Sequence, residues 1–347
     1  MEKTKYIFIS NGYRGGASNF LFDHIKYLSK KKKNIVLIDD APSKTFMKLP
    51  RLVKKKKIKI NNFSNKENLK LKKVLFSHGN KIVFITNYAF LIKYFWLFKK
   101  LKKKKNKVIL TIHSGLFNLN LKKYLAGLFF SLIYKSIDYL YFGSNSAKEW
   151  WKNHYPWMDI DKNLVIYNGV DIDVKRKSKK LNKKILISFV GRLENENNPN
   201  FFIDIAEEYL RLYDNAIFNI YGDGPMLIDL KKSIHNRNIR FHGWVNKDRI
   251  YKNTNIILIT SPINNFPYVA LEAKSYGIPV ISSSKGDIKR IIKNNIDGFI
   301  SQTNSSGKII MLIQKTLKNY NLFSKNAIKR SKKFDIKESC KTFWQKI

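Results

Sequence analysis

The stretch Ser261–Ser283, SPINNFPYVALEAKSYGIPVISS, most constrains what this chain can fold into. It follows the apolar run Ile256–Thr260, which reads as a short buried strand. Pro262 and the turn Asn264-Asn265-Phe266-Pro267 break that strand. A helical segment over Val269–Tyr276 comes next and stops at Gly277, with Pro279 two residues on. Val280–Ser283 then begins another strand. The product is a β-loop-α-β unit whose tight polar loop opens a helix at the carboxyl end of a strand. Open α/β sheets bind their ligands there. Glu272 lies about one turn into the helix, among Val269, Ala270, Leu271 and Ala273. A carboxylate so placed can accept hydrogen bonds from a sugar diol, as the acidic residue of a dinucleotide site does from a ribose.

The remaining chain repeats this alternation. Tyr6–Ser10 reads as a first strand, Asn11–Gly16 as a turn, and Ser18–Ser29 as a helix with Phe20, Leu21, Ile25 and Leu28 on one face. Gly15 and Gly16 let backbone approach a ligand at a helix N-terminus. Strands at Ile35–Ile38, Ile82–Ile85 and Val108–Ile112 are separated by helical or basic segments, the mark of a parallel sheet. His113 follows the last of them and precedes Ser114-Gly115, a position that suits a cleft as well as a core. Ile137–Ser144 reads as a further strand, with Ser144-Asn145-Ser146 capping a helix that runs through Trp151.

After the lysine-rich linker Lys175–Lys184, the pattern starts again with the apolar strand Ile185–Val190. Gly191-Arg192-Leu193 follows it, and Pro199 starts a helix. The planar fork of Arg192 at a strand end can pair with diphosphate oxygens. Ala216–Tyr221 is a strand ending in Gly222-Asp223-Gly224-Pro225, before a helix from Met226. Asp171-Ile-Asp173 is a DxD string, but it precedes the linker instead of ending a buried strand, and we read it as linker.

With 347 residues, the chain has room for two domains of ordinary size, and 44% apolar content excludes global disorder. A net charge of +42 points to a polyanionic partner, with nucleic acid and an anionic membrane face as the usual candidates. Part of that charge accompanies a joint excess of Lys, Asn and Ile, the composition of an AT-rich genome. The single cysteine, Cys340, leaves no internal disulfide and argues for a reducing compartment. Met1–Ser10 is too short an apolar run for a signal peptide, and no apolar stretch reaches the roughly 18–20 residues of a spanning helix, so a soluble or monotopic protein is expected.

Two segments mix apolar side chains with lysines. Lys93–Lys107, KYFWLFKKLKKKKNK, reads as a surface that dips into a headgroup layer. Leu121–Tyr134, flanked by Lys122, Lys123 and Lys135, reads as a buried helix with solvated ends. Aromatics among lysines also fit single-stranded nucleic acid, but no RNP-like, KH or helix-turn-helix pattern accompanies them.

The motifs resemble those of the retaining GT-B glycosyltransferases of family 4, also called glycosyltransferase group 1. The family's E-G-F-P-x-x-x-x-E-A-x-x-x-G-x-P-V-I is matched by Phe266, Pro267, Glu272, Ala273, Gly277, Pro279, Val280 and Ile281. G-R-L-x-x-x-K-N-P is matched by Gly191, Arg192, Leu193, Asn198 and Pro199. Gly222, Gly224 and Pro225 match G-x-G-P, Phe241-His242-Gly243-Trp244-Val245 matches F-x-G-x-V, and Ile166–Asp171 resembles I-P-N-G-V-D. Lys285-Gly286-Asp287 and Asn295–Ile300 match the closing features, with Asp287 or a neighbour at the usual acid. The resemblance covers nearly all of the second half and is thin over the first.

It implies an α/β GT-B fold, two Rossmann-like domains facing across a cleft. Residues 1–168 would be the acceptor-side domain, 169–332 the donor domain, and 333–347 a helix crossing back to the first domain. The implied activity is metal-independent transfer, with retention, of a hexose from a UDP- or GDP-linked sugar to a lipid-linked or cell-surface polysaccharide acceptor. The nucleotide sugar is a substrate, and no cofactor or metal is implied. Arg192 would hold the diphosphate and Glu272 the ribose. Gly222, Gly224, Pro225 and Val245 would lie beside the nucleotide. Asn264, Phe266, Pro267, Tyr268 and Val269 would meet diphosphate or sugar, Gly15 and Gly16 would face the interdomain cleft, and His113 would sit by the transferred sugar in the first domain. The implied setting is a bacterial cytoplasm, peripheral on the inner face of an anionic membrane, without nucleic acid.

Two charges of the family pattern are missing: Asn197 stands at the lysine and Asn264 at the first glutamate. An amide keeps some hydrogen bonding but loses the charge-assisted part, about 1 kcal/mol or more per bond. The alternative expectation is therefore a weak or inactive GT-B protein that binds a glycan or partner.

Overall fold

The computed structural model describes residues 4–10, 15–39, 49–58, 65–102, 106–113, 120–173, 175–181 and 183–347. The chain divides into two units, residues 1–168 with 337–347, and residues 169–336.

The first unit has six parallel strands: β1 (Lys5–Ser10), β2 (Asn34–Asp39), β3 (Val53–Lys57), β4 (Lys81–Ile85), β5 (Lys107–Ile112) and β6 (Tyr139–Phe142). Their order is β3-β2-β1-β4-β5-β6. Interleaved are α1 (Gly16–Lys30), α2 (Asn65–Leu75), α3 (Tyr88–Lys93), α4 (Phe95–Lys102), α5 (Leu121–Ile133) and α6 (Asn145–His154). Asn87, Asn120 and Ser144 cap α3, α5 and α6 with their side chains.

The second unit repeats the plan with β7 (Ile185–Val190), β8 (Ala216–Tyr221), β9 (Ile239–Gly243), β10 (Ile256–Ile259), β11 (Val280–Ser282) and β12 (Gly298–Ile300), ordered β12-β11-β10-β7-β8-β9. Its helices are α7 (Pro199–Leu212), α8 (Leu227–Ser233), α9 (Lys247–Lys252), α10 (Tyr268–Ser275), α11 (Ile288–Ile291), α12 (Ser306–Lys318) and α13 (Tyr320–Ser331). The last helix, α14 (Ile336–Gln345), lays Phe343 and Trp344 against Phe8, Phe20 and Phe84 in the first unit. The first unit resumes at Lys337, so residues 333–336 of the expected crossing segment pack with the second unit.

Each sheet changes winding direction at its centre, between β1 and β4 and between β7 and β10. Such switch points open a crevice at the carboxyl ends of the strands. β10 and β4 are near-continuous apolar runs, as strands covered on both faces must be.

Three features differ from the sequence reading. β3 is VKKKK, with Lys54–Lys57 exposed, and had read as a basic connector. It is an edge strand, where charged side chains discourage pairing with another chain. The two apolar-lysine segments differ from the reading in the side chains they bury. In Lys93–Lys107, Tyr94, Phe98 and Leu101 are buried core residues and Trp96 is the large apolar side chain left exposed; residues 103–105 lie outside the described ones. Leu121–Tyr134, expected to be buried, instead leaves Leu121, Leu125, Phe129 and Leu132 in solvent. Apolar periodicity shows that a helix has a sticky face but not whether a neighbour covers it.

Candidate functional site

The carboxyl ends of β7, β8 and β9 are bound to one another backbone to backbone. Gly191 N–H donates to Tyr221 O (3.0 Å), Gly222 N–H to Gly243 O (2.9 Å), and Leu193 N–H to Asp223 O (2.9 Å). Met226 N–H returns a bond to Leu193 O (3.1 Å). The chains run so close that a Cβ on Gly222 would sit 1.8 Å from Gly191 O, and one on Gly224 2.5 Å from Leu193 O. Gly222 also has φ +146°, outside the range that side-chain-bearing residues favour. The G-x-G-P turn is thus fixed by backbone sterics. Pro225 completes it, and Val245 lies half-buried just past β9.

This platform presents Arg192. Its guanidinium is 58% exposed and pairs with Glu194 (3.0 Å) and, more loosely, Glu196 (4.0 Å). Asn197 does not stand in for a cation. Its amide donates to Arg192 O (2.8 Å), and its own carbonyl accepts from Thr260 Oγ1 (3.1 Å). That second bond bridges the β7 and β10 loops across the switch point. Asn198 then takes the left-handed conformation (φ 48°) and caps α7, with Pro199 in the first turn.

On the β10 side, Asn264 turns its amide onto Ser261 Oγ and Ser284 Oγ, the latter at 3.2 Å. Its backbone N–H donates to Lys285 O (2.9 Å). Phe266 is buried against Phe334, and Pro267 precedes α10, whose first turn, including Tyr268 and Val269, has no side-chain cap. A helix N-terminus of this kind carries partial positive charge. Glu272, in the second turn, is 16% exposed; Oε2 accepts from the Tyr251 hydroxyl (2.7 Å) and Oε1 faces Lys247 Nζ (3.7 Å). Burial pushes its pKa up, opposed by Lys247 and Tyr251.

The structure therefore brings Arg192, Asn197, Gly222, Gly224, Pro225, Asn264, Phe266, Pro267, Tyr268, Val269 and Glu272 to the carboxyl-end rim of one sheet or the helix that opens there. Sequence reasoning missed Lys247 and Tyr251, whose i,i+4 spacing puts both beside Glu272. It also missed the support beneath α10. Lys274, fully buried, pairs with Asp297 (2.6 Å), which in turn holds Arg330 (2.5 Å) and the Lys293 N–H (2.8 Å). Burial lowers the Lys274 pKa to about 8 against the pull of Asp297. Within the linker, Arg176 stacks on Tyr276 at 3.4 Å, and Lys179 Nζ donates to the carbonyls of Tyr251, Lys252 and Thr254.

In the first unit, Gly15 and Gly16 sit at the start of α1, after β1, and His113 sits past β5. Among the described residues, a Cβ on Gly15 would meet nothing within 4 Å. His113 Nε2 lies 3.1 Å from Thr111 Oγ1, and its ring packs edge-on to Phe20. Burial lowers its pKa to about 4, so the imidazole is neutral at physiological pH.

Two six-stranded parallel sheets with flanking helices form the GT-B architecture. A family model described as "Glycosyl transferases group 1" matches residues 171–334, and one described as "Glycosyltransferase Family 4" matches residues 14–174. The chain belongs to the family 4 type, group 1 glycosyltransferases. The fold is shared with Anabaena Alr3699/HepE, crystallised with UDP-glucose, at a TM-score of 0.80 and 15% identity over 99% of this chain and 100% of that one. Among curated relatives, an uncharacterised 41.2 kDa protein in the cps region of Klebsiella pneumoniae is 25% identical over 65% of each chain. The Escherichia coli UDP-Gal:α-D-GlcNAc-diphosphoundecaprenol α-1,3-galactosyltransferase is 29% identical over 49% of each chain. The matches thus span between about half and two thirds of these relatives' lengths.

Proposed function

We propose that the protein transfers a hexose from a UDP- or GDP-linked sugar to a lipid-linked or cell-surface glycan, with retention and without a metal, while peripheral on the inner face of the membrane. The observation that carries this reading is the rim of the second sheet. A solvent-facing guanidinium, an uncapped helix N-terminus and a nearly buried carboxylate are arranged there on a platform where only glycine fits. The similar galactosyltransferase of E. coli, named for a UDP-linked sugar and a diphosphoundecaprenol acceptor, supports the substrate class.

Arg192 would exchange its partner Glu194 for the donor diphosphate. An exposed ion pair is worth about 0–1 kcal/mol, so a doubly charged diphosphate outcompetes it. As the sugar–phosphate bond breaks, Arg192 and the α10 N-terminus face the growing negative charge, and preorganised donors lower that barrier most. Glu272, oriented by Tyr251 and facing Lys247, accepts from the ribose hydroxyls. His113, neutral, is a hydrogen-bonding group for the transferred sugar and not a cation.

A second reading, a GT-B protein that binds its donor or a glycan without turnover, is favoured by one observation. Asn197 and Asn264 spend their amides on the protein's own Arg192 carbonyl and Ser261 and Ser284 hydroxyls. Incubation with UDP- and GDP-hexoses and a polyprenyl-diphosphate-linked sugar separates the two. Release of nucleoside diphosphate that depends on acceptor, and is lost in Arg192→Ala, supports transfer. Donor binding without release supports the second reading.

A further inference from the structure

Among the described residues, the first unit carries an exposed apolar stripe. Helix α5 packs inward through Gly127, Phe130, Ser131 and Ile133, with Phe130 against Tyr88 and Trp151. Its opposite side repeats apolar residues at the same helical spacing. Leu121 is 73% exposed, Leu125 52%, Phe129 44% and Leu132 67%. Two tryptophans in the same unit are also exposed. Trp157, beside α5, donates from its indole to Ser131 Oγ (2.9 Å) yet remains 52% exposed, and Trp96 on α4 is 74% exposed. Between the C-terminal ends of α4 and α5 lies a cavity of about 500 Å³ lined by Phe95, Leu132 and Ile133, with Lys99, Lys102 and Lys135 around it.

Charge identifies what covers this face. From Asn68 to Ile137 the sequence has no aspartate or glutamate, against fifteen lysines. Lys122 at the start of α5, Lys135 just past its end, and Lys99 and Lys100 on α4 are exposed. A protein partner matched to this surface would need to be both apolar and strongly anionic. A bilayer with anionic headgroups meets both demands at once, because leucines and tryptophans enter the acyl boundary while lysines stay among the phosphates. A second copy of the chain would bring lysines against lysines.

We infer that α5 is the membrane-docking element, its Leu121–Leu125–Phe129–Leu132 stripe entering an anionic bilayer with Trp96, Trp157 and the surrounding lysines at the headgroup level. This deepens the proposed function by naming the surface that meets the membrane, and it rests on that reading for the acceptor being lipid-linked. Each contacted anionic lipid contributes modestly per lysine, so the attraction is multivalent and screened by salt.

The test is co-sedimentation of the full chain with vesicles of phosphatidylcholine alone and of phosphatidylcholine mixed with phosphatidylglycerol. The wild type is expected on the mixed vesicles, at least about tenfold more weakly on neutral ones, and progressively less as salt rises. Leu125→Glu with Leu132→Glu alters two exposed positions, so unfolding temperature stays near the wild type while binding to mixed vesicles falls about tenfold or more. Wild type that ignores anionic vesicles overturns the inference, as does a double variant that binds as the wild type does. Sedimentation velocity without vesicles adds a third arm: a dimer that the double variant dissociates would assign the stripe to a second copy. Stabilisation by nucleotide, read without lipid, reports on the donor site separately, so loss of one need not accompany loss of the other.

Discussion

The two units share one plan, six parallel strands wound from a central switch point, yet their sites are built differently. In the second unit the loops after β7, β8 and β9 are locked backbone on backbone, and Gly222 and Gly224 stand where a single Cβ would collide with a carbonyl. Among the described residues of the first unit, Gly143 N–H donates to Ile112 O (2.7 Å) at the ends of β5 and β6, and aromatic side chains pack beneath them. His24 is fully buried among Phe20, Phe84, Phe343 and Trp344, and His113 packs on Phe20. Backbone constraints admit one residue type, whereas aromatic packing admits many. A site of the first kind keeps a recognisable motif, and a site of the second kind is free to drift.

The comparison breaks first at its deepest support. Asp297→Ala would leave Lys274 buried without its counter-ion, and unfolding of the second unit in urea should show a loss of about 3–5 kcal/mol. An effect under 1 kcal/mol would mean that α10 does not depend on this cluster. Gly222→Ala should follow, costing about 2–4 kcal/mol through the clash and the unfavourable φ, while the first unit keeps its stability. Equal loss in both units would contradict the separation drawn here.

Acid should sharpen the contrast from the other side. Burial lowers the His24 pKa to about 3, with neighbouring His113 adding to the effect. Among the described residues neither ring nitrogen of His24 has a hydrogen-bond partner. The unfolded chain therefore takes up a proton near pH 6.5 that the folded one refuses. Stability is complete above that pH and falls as pH drops toward 3, by about 2 kcal/mol at pH 5 from His24. Thermal unfolding at pH 7.5 and 5 should show the first unit weakening more than the second, and His24→Phe should shrink that difference. The smallest effect belongs to Arg192→Ala. Its ion pairs are exposed, so stability should change by no more than about 0.5 kcal/mol even though donor binding is lost.

Much of the fold and of the rim was legible in the chain. The strand–loop–helix rhythm, the glycine turn, Arg192 and the Glu272 helix are all local patterns, readable within some twenty residues. What stayed hidden depends on distance. Tyr251 and Lys247 reach Glu272 from another helix, and Asp297 joins Lys274 and Arg330 from three separate segments. The exposure of α5 was misread for the same reason, since a helix's neighbours are not written in its own residues. Asn197 and Asn264 could be seen as departures from the family pattern, but only the structure shows where their amides go.

The most direct test of the central claim, that the rim of the second unit holds a nucleotide-sugar diphosphate, is thermal stabilisation by UDP, GDP and their hexose conjugates, compared in wild type, Arg192→Ala and Glu272→Gln. At about a hundred times its dissociation constant, one nucleotide should stabilise the wild type by about 2.7 kcal/mol. Both variants should lose most of that response while unfolding, without ligand, near the wild-type temperature. Stabilisation that survives both substitutions, or none from any nucleotide, would contradict the account.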